Sequence, residues 1–104
     1  IEVSGKATVT LEVIKGSKLE HPMLENETEF TQIVSAETLD EAAKLATKLM
    51  TKRIAEKSSL TLAEVTMLMS AVGQVQVCQI VDPLMTARFS VPKWLLAKLN
   101  VTLI

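Results

Sequence analysis

Few residues in this chain can do covalent or acid–base chemistry. One histidine, His21, and one cysteine, Cys78, stand in 104 residues with no tyrosine and only three glycines. A thiolate nucleophile needs a base within hydrogen-bond reach, so Cys78 with His21 is a nucleophile pair only if folding brings the two together. A zinc site would need the same two residues plus carboxylates, and the clustered ligand spacing of such sites is missing. The plainer expectation is that Cys78 packs as a small hydrophobe and His21 sits in an exposed loop. No glycine-rich phosphate loop is present.

The candidate site residues are Gln79 and Asp82. Alternation places the neutral amide of Gln79 among Val75, Val77 and Val81, on a face expected to be buried, and a buried amide needs partners. Either it bonds to the backbone of a neighbouring strand or loop, or it points into a cleft that Asp82, at the strand end, helps to order.

The elements that would position these groups follow from the spacing of apolar residues. Val3, Gly5, Ala7, Val9, Leu11 and Val13 share one parity and Glu2, Ser4, Lys6, Thr8, Thr10 and Glu12 the other, the period of a strand with one buried face. Residues 15–27 read as a loop, and a second strand is predicted over residues 28–34. Thr38-Leu39-Asp40-Glu41 is a capping box that opens a helix to about Glu56, with Leu39, Ala42, Ala43, Ala46, Leu49, Met50 and Ile54 as its apolar stripe and Lys44, Lys48 and Lys52 on its solvated face. A second box, Thr61-Leu62-Ala63-Glu64, opens a second helix with Leu60 and Val65 as a staple, and Gly73 is expected to end it in a left-handed cap. Strands are predicted over residues 75–81 and 86–91, then a short helix after Pro92. The last four residues are expected as an edge strand or a disordered tail. The fold class is α+β, with mostly antiparallel strands packed against two consecutive capped helices, and residues 1–104 form one domain.

Composition narrows the partners. A net charge of −1 and 3% aromatic residues lack both the basic excess and the stacking surfaces of a nucleic-acid binder. The apolar runs fall far short of the roughly 20 residues of a membrane-spanning helix. A single cysteine permits no internal disulfide and fits a reducing cytoplasm. The start shows no signal-peptide pattern, lacks Met and enters a strand pattern at once, as expected of a piece cut from something longer.

The run Ser70-Ala71-Val72-Gly73-Gln74-Val75-Gln76-Val77-Cys78-Gln79-Ile80-Val81-Asp82-Pro83 resembles the carboxy-terminal signature of the acetamidase/formamidase family. Val3-Ser4-Gly5-Lys6-Ala7, Pro22 to Glu25, the helix start at Leu39, and Thr86-Ala87-Arg88-Phe89 leading to Val91-Pro92-Lys93 agree in the same order. Gln74 and Gln76 stand where relatives carry charged residues, and Cys78 where they carry serine. The resemblance implies the carboxy-terminal segment of a larger β/α/β enzyme that hydrolyses small amides such as formamide or acetamide to a carboxylate and ammonia. It also implies a divalent metal, zinc, which would polarise the amide carbonyl and activate a water. The family's His-, Asp- and Glu-rich motifs lie in its amino-terminal two-thirds, so no metal ligand and no cofactor site carries over to these residues. The implied partners are the amino-terminal portion of the same enzyme, further copies of it and a small amide substrate, and this chain alone is expected to be inactive. A reading from a different class is a non-catalytic assembly or ligand-binding module with the same fold. A third is an independent thiol enzyme using Cys78.

Overall fold

The computed structural model describes residues 2–104. Its elements run β1 (Met23–Glu25), β2 (Glu29–Ala36), α1 (Leu39–Lys57), α2 (Leu62–Val72), β3 (Gln74–Gln79), β4 (Met85–Pro92) and α3 (Lys93–Lys98). The strands form one four-stranded antiparallel sheet in the order β1-β2-β4-β3. The architecture is α+β, as the sequence predicts.

Local chemistry sets the element ends. Asn26 closes the β1–β2 turn by accepting the amides of Thr28 and Glu29, each at 2.8 Å, an arrangement that mimics a backbone turn. Both capping boxes form: the Thr38 hydroxyl accepts from the Glu41 amide at 3.2 Å while the Glu41 carboxylate accepts from the Thr38 amide at 3.2 Å. Thr61 and Glu64 repeat this at 3.2 and 2.8 Å. Each box satisfies two amide donors that a helix start would otherwise leave open. The α3 end is closed by Asn100, whose φ of 54° lets the Val101 amide reach back to the Leu96 carbonyl at 2.9 Å.

The core lies between one sheet face and α1. Ala42, Ala46, Met50 and Ile54 of α1 are buried with Val34 of β2 and Ala87, Phe89 and Val91 of β4; Val65 and Met69 of α2 and Leu95 and Leu96 of α3 complete the cluster. The stripe spaced by three and four in the sequence is thus the buried face of α1. Each large side chain buried here contributes about 1.5–3 kcal/mol. The far sheet face is polar: Thr31 shares a 2.8 Å hydrogen bond with Ser90, Ser35 shares one of 2.8 Å with Thr86, and Arg88 Nε donates to Gln76 Oε1 at 2.6 Å.

Four expectations are corrected. The segment 3–13, the most regular alternation in the sequence, pairs with no strand of this sheet, and Val3, Val9, Leu11 and Val13 are 78, 76, 90 and 86% exposed. Alternation prepares a two-faced strand, but a strand exists only where an edge is present to bond it. Gly73 is not left-handed (φ −74°); a Cβ there would meet the Met69 carbonyl oxygen at 2.7 Å and crowd the Phe89 ring. Close approach, not backbone conformation, demands glycine at this position. Val75 and Val77 occupy one parity of β3 but are 54 and 57% exposed, because β3 is the edge strand and the helices do not cover it fully; Val81 lies beyond the strand. The last residues are neither a strand nor a loose tail, since Val101 and Leu103 are buried and Arg53 donates to the Leu103 carbonyl at 3.3 Å.

Candidate functional site

The β3–β4 turn holds both candidate residues. Register shifts between Val77 and Gln79, a bulge that turns Gln79 out of the alternation on which its burial was predicted. Its side chain is half-buried and fully bonded. Nε2 donates to the Leu84 carbonyl at 2.7 Å and to Thr86 Oγ1 at 2.9 Å, and Oε1 accepts from the amides of Val81 and Asp82 at 2.9 and 3.0 Å. Two donors and two acceptor positions are the full capacity of an amide. Gln79 therefore ties the turn to β4, and Thr86 continues the contact to Ser35 of β2. Asp82 is exposed beside it, held through its backbone amide.

His21 and Cys78 are not brought together. His21 lies just before β1 and Cys78 is exposed on β3, so the two stand at opposite edges of the sheet, three strand spacings or roughly 14 Å apart. His21 instead lines a polar cavity of about 190 Å³ with Lys18, Glu20, Gln32, Arg53 and Glu56. Gln32 is buried at its floor, its Nε2 donating to the Pro22 carbonyl at 3.1 Å and less closely to those of Ile33 and His21. Sequence reasoning missed Gln32. The only available signal was a polar residue on the apolar parity of a predicted strand, the same kind of irregularity that singled out Gln79.

A second depression is apolar. Ala43, Thr47 and Thr51 of α1, Leu62 and Thr66 of α2, and Val75 of β3 line an open trough of about 500 Å³, bordered by Lys44, Lys48 and Lys52. Its threonines contribute little polarity, because Thr47, Thr51 and Thr66 each donate their hydroxyl to a carbonyl four residues back, at 2.9, 2.7 and 2.7 Å. Among the described residues no three His, Cys, Asp or Glu side chains converge. The metal implied by the family resemblance therefore does not fit the side chains of this chain. No helix among the described residues is long and apolar enough to cross a membrane.

No family model and no curated protein matches the chain. Solved structures do. An acetamidase from Bacillus halodurans is 48% identical, with a TM-score of 0.76 over 77% of this chain and 27% of its own. A predicted acetamidase/formamidase from the thermophile Thermoanaerobacter tengcongensis is 37% identical, with a TM-score of 0.83 over 88% of this chain and 30% of its own. An acetamidase from Yersinia enterocolitica is 29% identical, with a TM-score of 0.75 over 80% of this chain and 25% of its own. The chain thus spans between a quarter and a third of the length of these relatives. Shared residues and a shared arrangement of sheet and helices make it a portion of a protein of the acetamidase/formamidase family.

Proposed function

We propose that these residues are the carboxy-terminal part of a cytoplasmic amidase that hydrolyses short aliphatic amides, of the formamide or acetamide type, to a carboxylate and ammonia. The supporting observation is the pairing of two facts. Nearly half the aligned residues are identical to those of an acetamidase, yet among the described residues no three His, Cys, Asp or Glu side chains converge to hold the metal that the resemblance implies. Activity then belongs to an assembly in which the remainder of the enzyme contributes the catalytic centre, including the zinc or other divalent ion that these residues do not fit. In this reading Gln79 and Asp82 shape the turn at the end of β3 and do not act on the substrate.

The test is complementation. The Bacillus halodurans acetamidase, trimmed of the portion that this chain matches, is mixed with residues 1–104, and ammonia release from acetamide and formamide is followed for each component and for the mixture. Release by the mixture alone supports the reading. Release by residues 1–104 alone contradicts it, and so does a mixture that associates without turning over either amide, which favours the non-catalytic module.

A further inference from the structure

A buried amide in β2 has an acceptor left over. Gln32 is 2% exposed, and its Nε2 sits among three backbone carbonyls, those of Pro22 at 3.1 Å, Ile33 at 3.4 Å and His21 at 3.5 Å. Carbonyls only accept, so the nitrogen must be the atom that faces them and the oxygen is fixed on the other side. Among the described residues no donor reaches that Oε1, although every fully enclosed polar side-chain atom has a partner. The oxygen therefore opens onto the cavity of about 190 Å³ that Gln32 lines. An acceptor on so buried a side chain needs a donor from whatever fills that space.

Three stretches of this chain build the cavity: residues 18–21, β2 and the second half of α1. Its charges do not balance. Lys52 pairs with Glu56 at 3.7 Å, which leaves two cations, Lys18 and Arg53, against one carboxylate, Glu20. Arg53 donates Nη1 to the Leu103 carbonyl at 3.3 Å, a bond that anchors the guanidinium to the carboxy-terminal residues. A guanidinium has five N–H donors in a flat fork, so most of them remain for a ligand.

These features specify a ligand. An excess positive charge and an anchored guanidinium suit a carboxylate, which a planar fork binds through two parallel hydrogen bonds. The unmet Gln32 oxygen asks for a donor on the same molecule. The volume lies below the roughly 300–1,000 Å³ of pockets for drug-sized compounds, so that molecule has only a few non-hydrogen atoms and its donor must stand next to the carboxylate.

We propose that the cavity between residues 18–21, β2 and α1 binds a small carboxylate with a hydroxyl or amino group on the neighbouring carbon. Arg53 and Lys18 hold the carboxylate, and Gln32 Oε1 accepts from the neighbouring group. A hydroxy acid cancels the excess charge, whereas an amino acid brings an ammonium that Glu20 meets. The inference stands on the cavity and does not depend on the amidase reading.

The test is an NMR titration of nitrogen-15-labelled residues 1–104 at constant ionic strength, read at the Gln32 Nε2 and Arg53 Nε resonances. Sodium glycolate, glycine and sodium acetate are the probes. Glycolate or glycine is expected to shift both resonances saturably in the millimolar range, and the tighter of the two identifies the donor as hydroxyl or ammonium. Acetate has the carboxylate without the donor and should bind at least about tenfold more weakly, because the buried acceptor stays unmet. Lys18→Ala, at an exposed position, should weaken the tighter probe by about threefold without moving the thermal melt. Gln32→Met removes the acceptor at similar length, so acetate should bind it as well as the tighter probe does; where melts show this variant unfolded, Lys18→Ala and the acetate comparison decide. The proposal is overturned if neither glycolate nor glycine gives a saturable shift, if acetate binds the parent chain as tightly as they do, or if Lys18→Ala melts as the parent and binds unchanged.

Discussion

Two segments of this chain alternate apolar and polar residues, and only one is built into the sheet. In β4, Ala87, Phe89 and Val91 are buried between α1 and two neighbouring strands. In the segment 3–13, Val9, Leu11 and Val13 stand in solvent. The pattern is the same because period two reports only that a strand would have two unlike faces. What separates them is hydrogen-bonding partners: β4 has β2 on one side and β3 on the other, and among the described residues the segment pairs with no strand. A strand sequence is thus a statement about a face, and the neighbour that makes it a strand can lie outside the chain.

Substitutions sharpen this contrast. Phe89→Ala should cost about 3–5 kcal/mol in denaturant unfolding, since it empties a packed site. Leu11→Ala, in the other alternating segment, should change stability by less than about 0.5 kcal/mol. Comparable losses at the two positions would mean that the segment is already packed.

Gly73→Ala tests a smaller feature of the buried side. The added methyl would press on the Met69 carbonyl and the Phe89 ring, and should destabilise by about 1–3 kcal/mol. A neutral result would show that the ring yields freely. Below that come the caps: Thr38→Ala and Thr61→Ala should each cost about 1 kcal/mol in a thermal melt, with serine at either position restoring most of the loss.

The smallest expected effect is electrostatic. The Thr61 backbone N–H, followed by its hydroxyl, holds the Glu64 carboxyl below the ordinary value. A carboxyl lowered on folding adds stability above its unfolded pKa and loses it as pH falls through the folded one. Acidification should therefore loosen the start of α2, and Glu64→Gln should flatten that dependence. An NMR titration placing Glu64 at or above an ordinary glutamate would remove the basis for it.

The sequence was legible wherever both partners of an interaction lay a few residues apart. Thr38 with Glu41 and Thr61 with Glu64 are local pairs, so both helix starts could be placed. The α1 stripe was legible because three-and-four spacing fixes a helix face whatever it packs against. What escaped depends on distant contacts. Gly73 answers to Phe89, sixteen positions away in the numbering. Leu103 is fixed by burial and by Arg53 across the fold. The exposure of Val75 and Val77 follows from where the helices end, which the β3 residues do not encode. For the site, a polar residue on an apolar parity drew attention to Gln79, and the bulge that lets its amide satisfy the turn could not be read from alternation alone. A metal centre was not legible because the described residues bring no three metal-ligating side chains together.

The most direct measurement is hydrogen–deuterium exchange on residues 1–104. Amides of residues 3–13 are expected to exchange at nearly unstructured rates, while those of β2 and β4 are protected. Protection of residues 3–13 equal to that of β4 would contradict this, because the segment would then already have its partner.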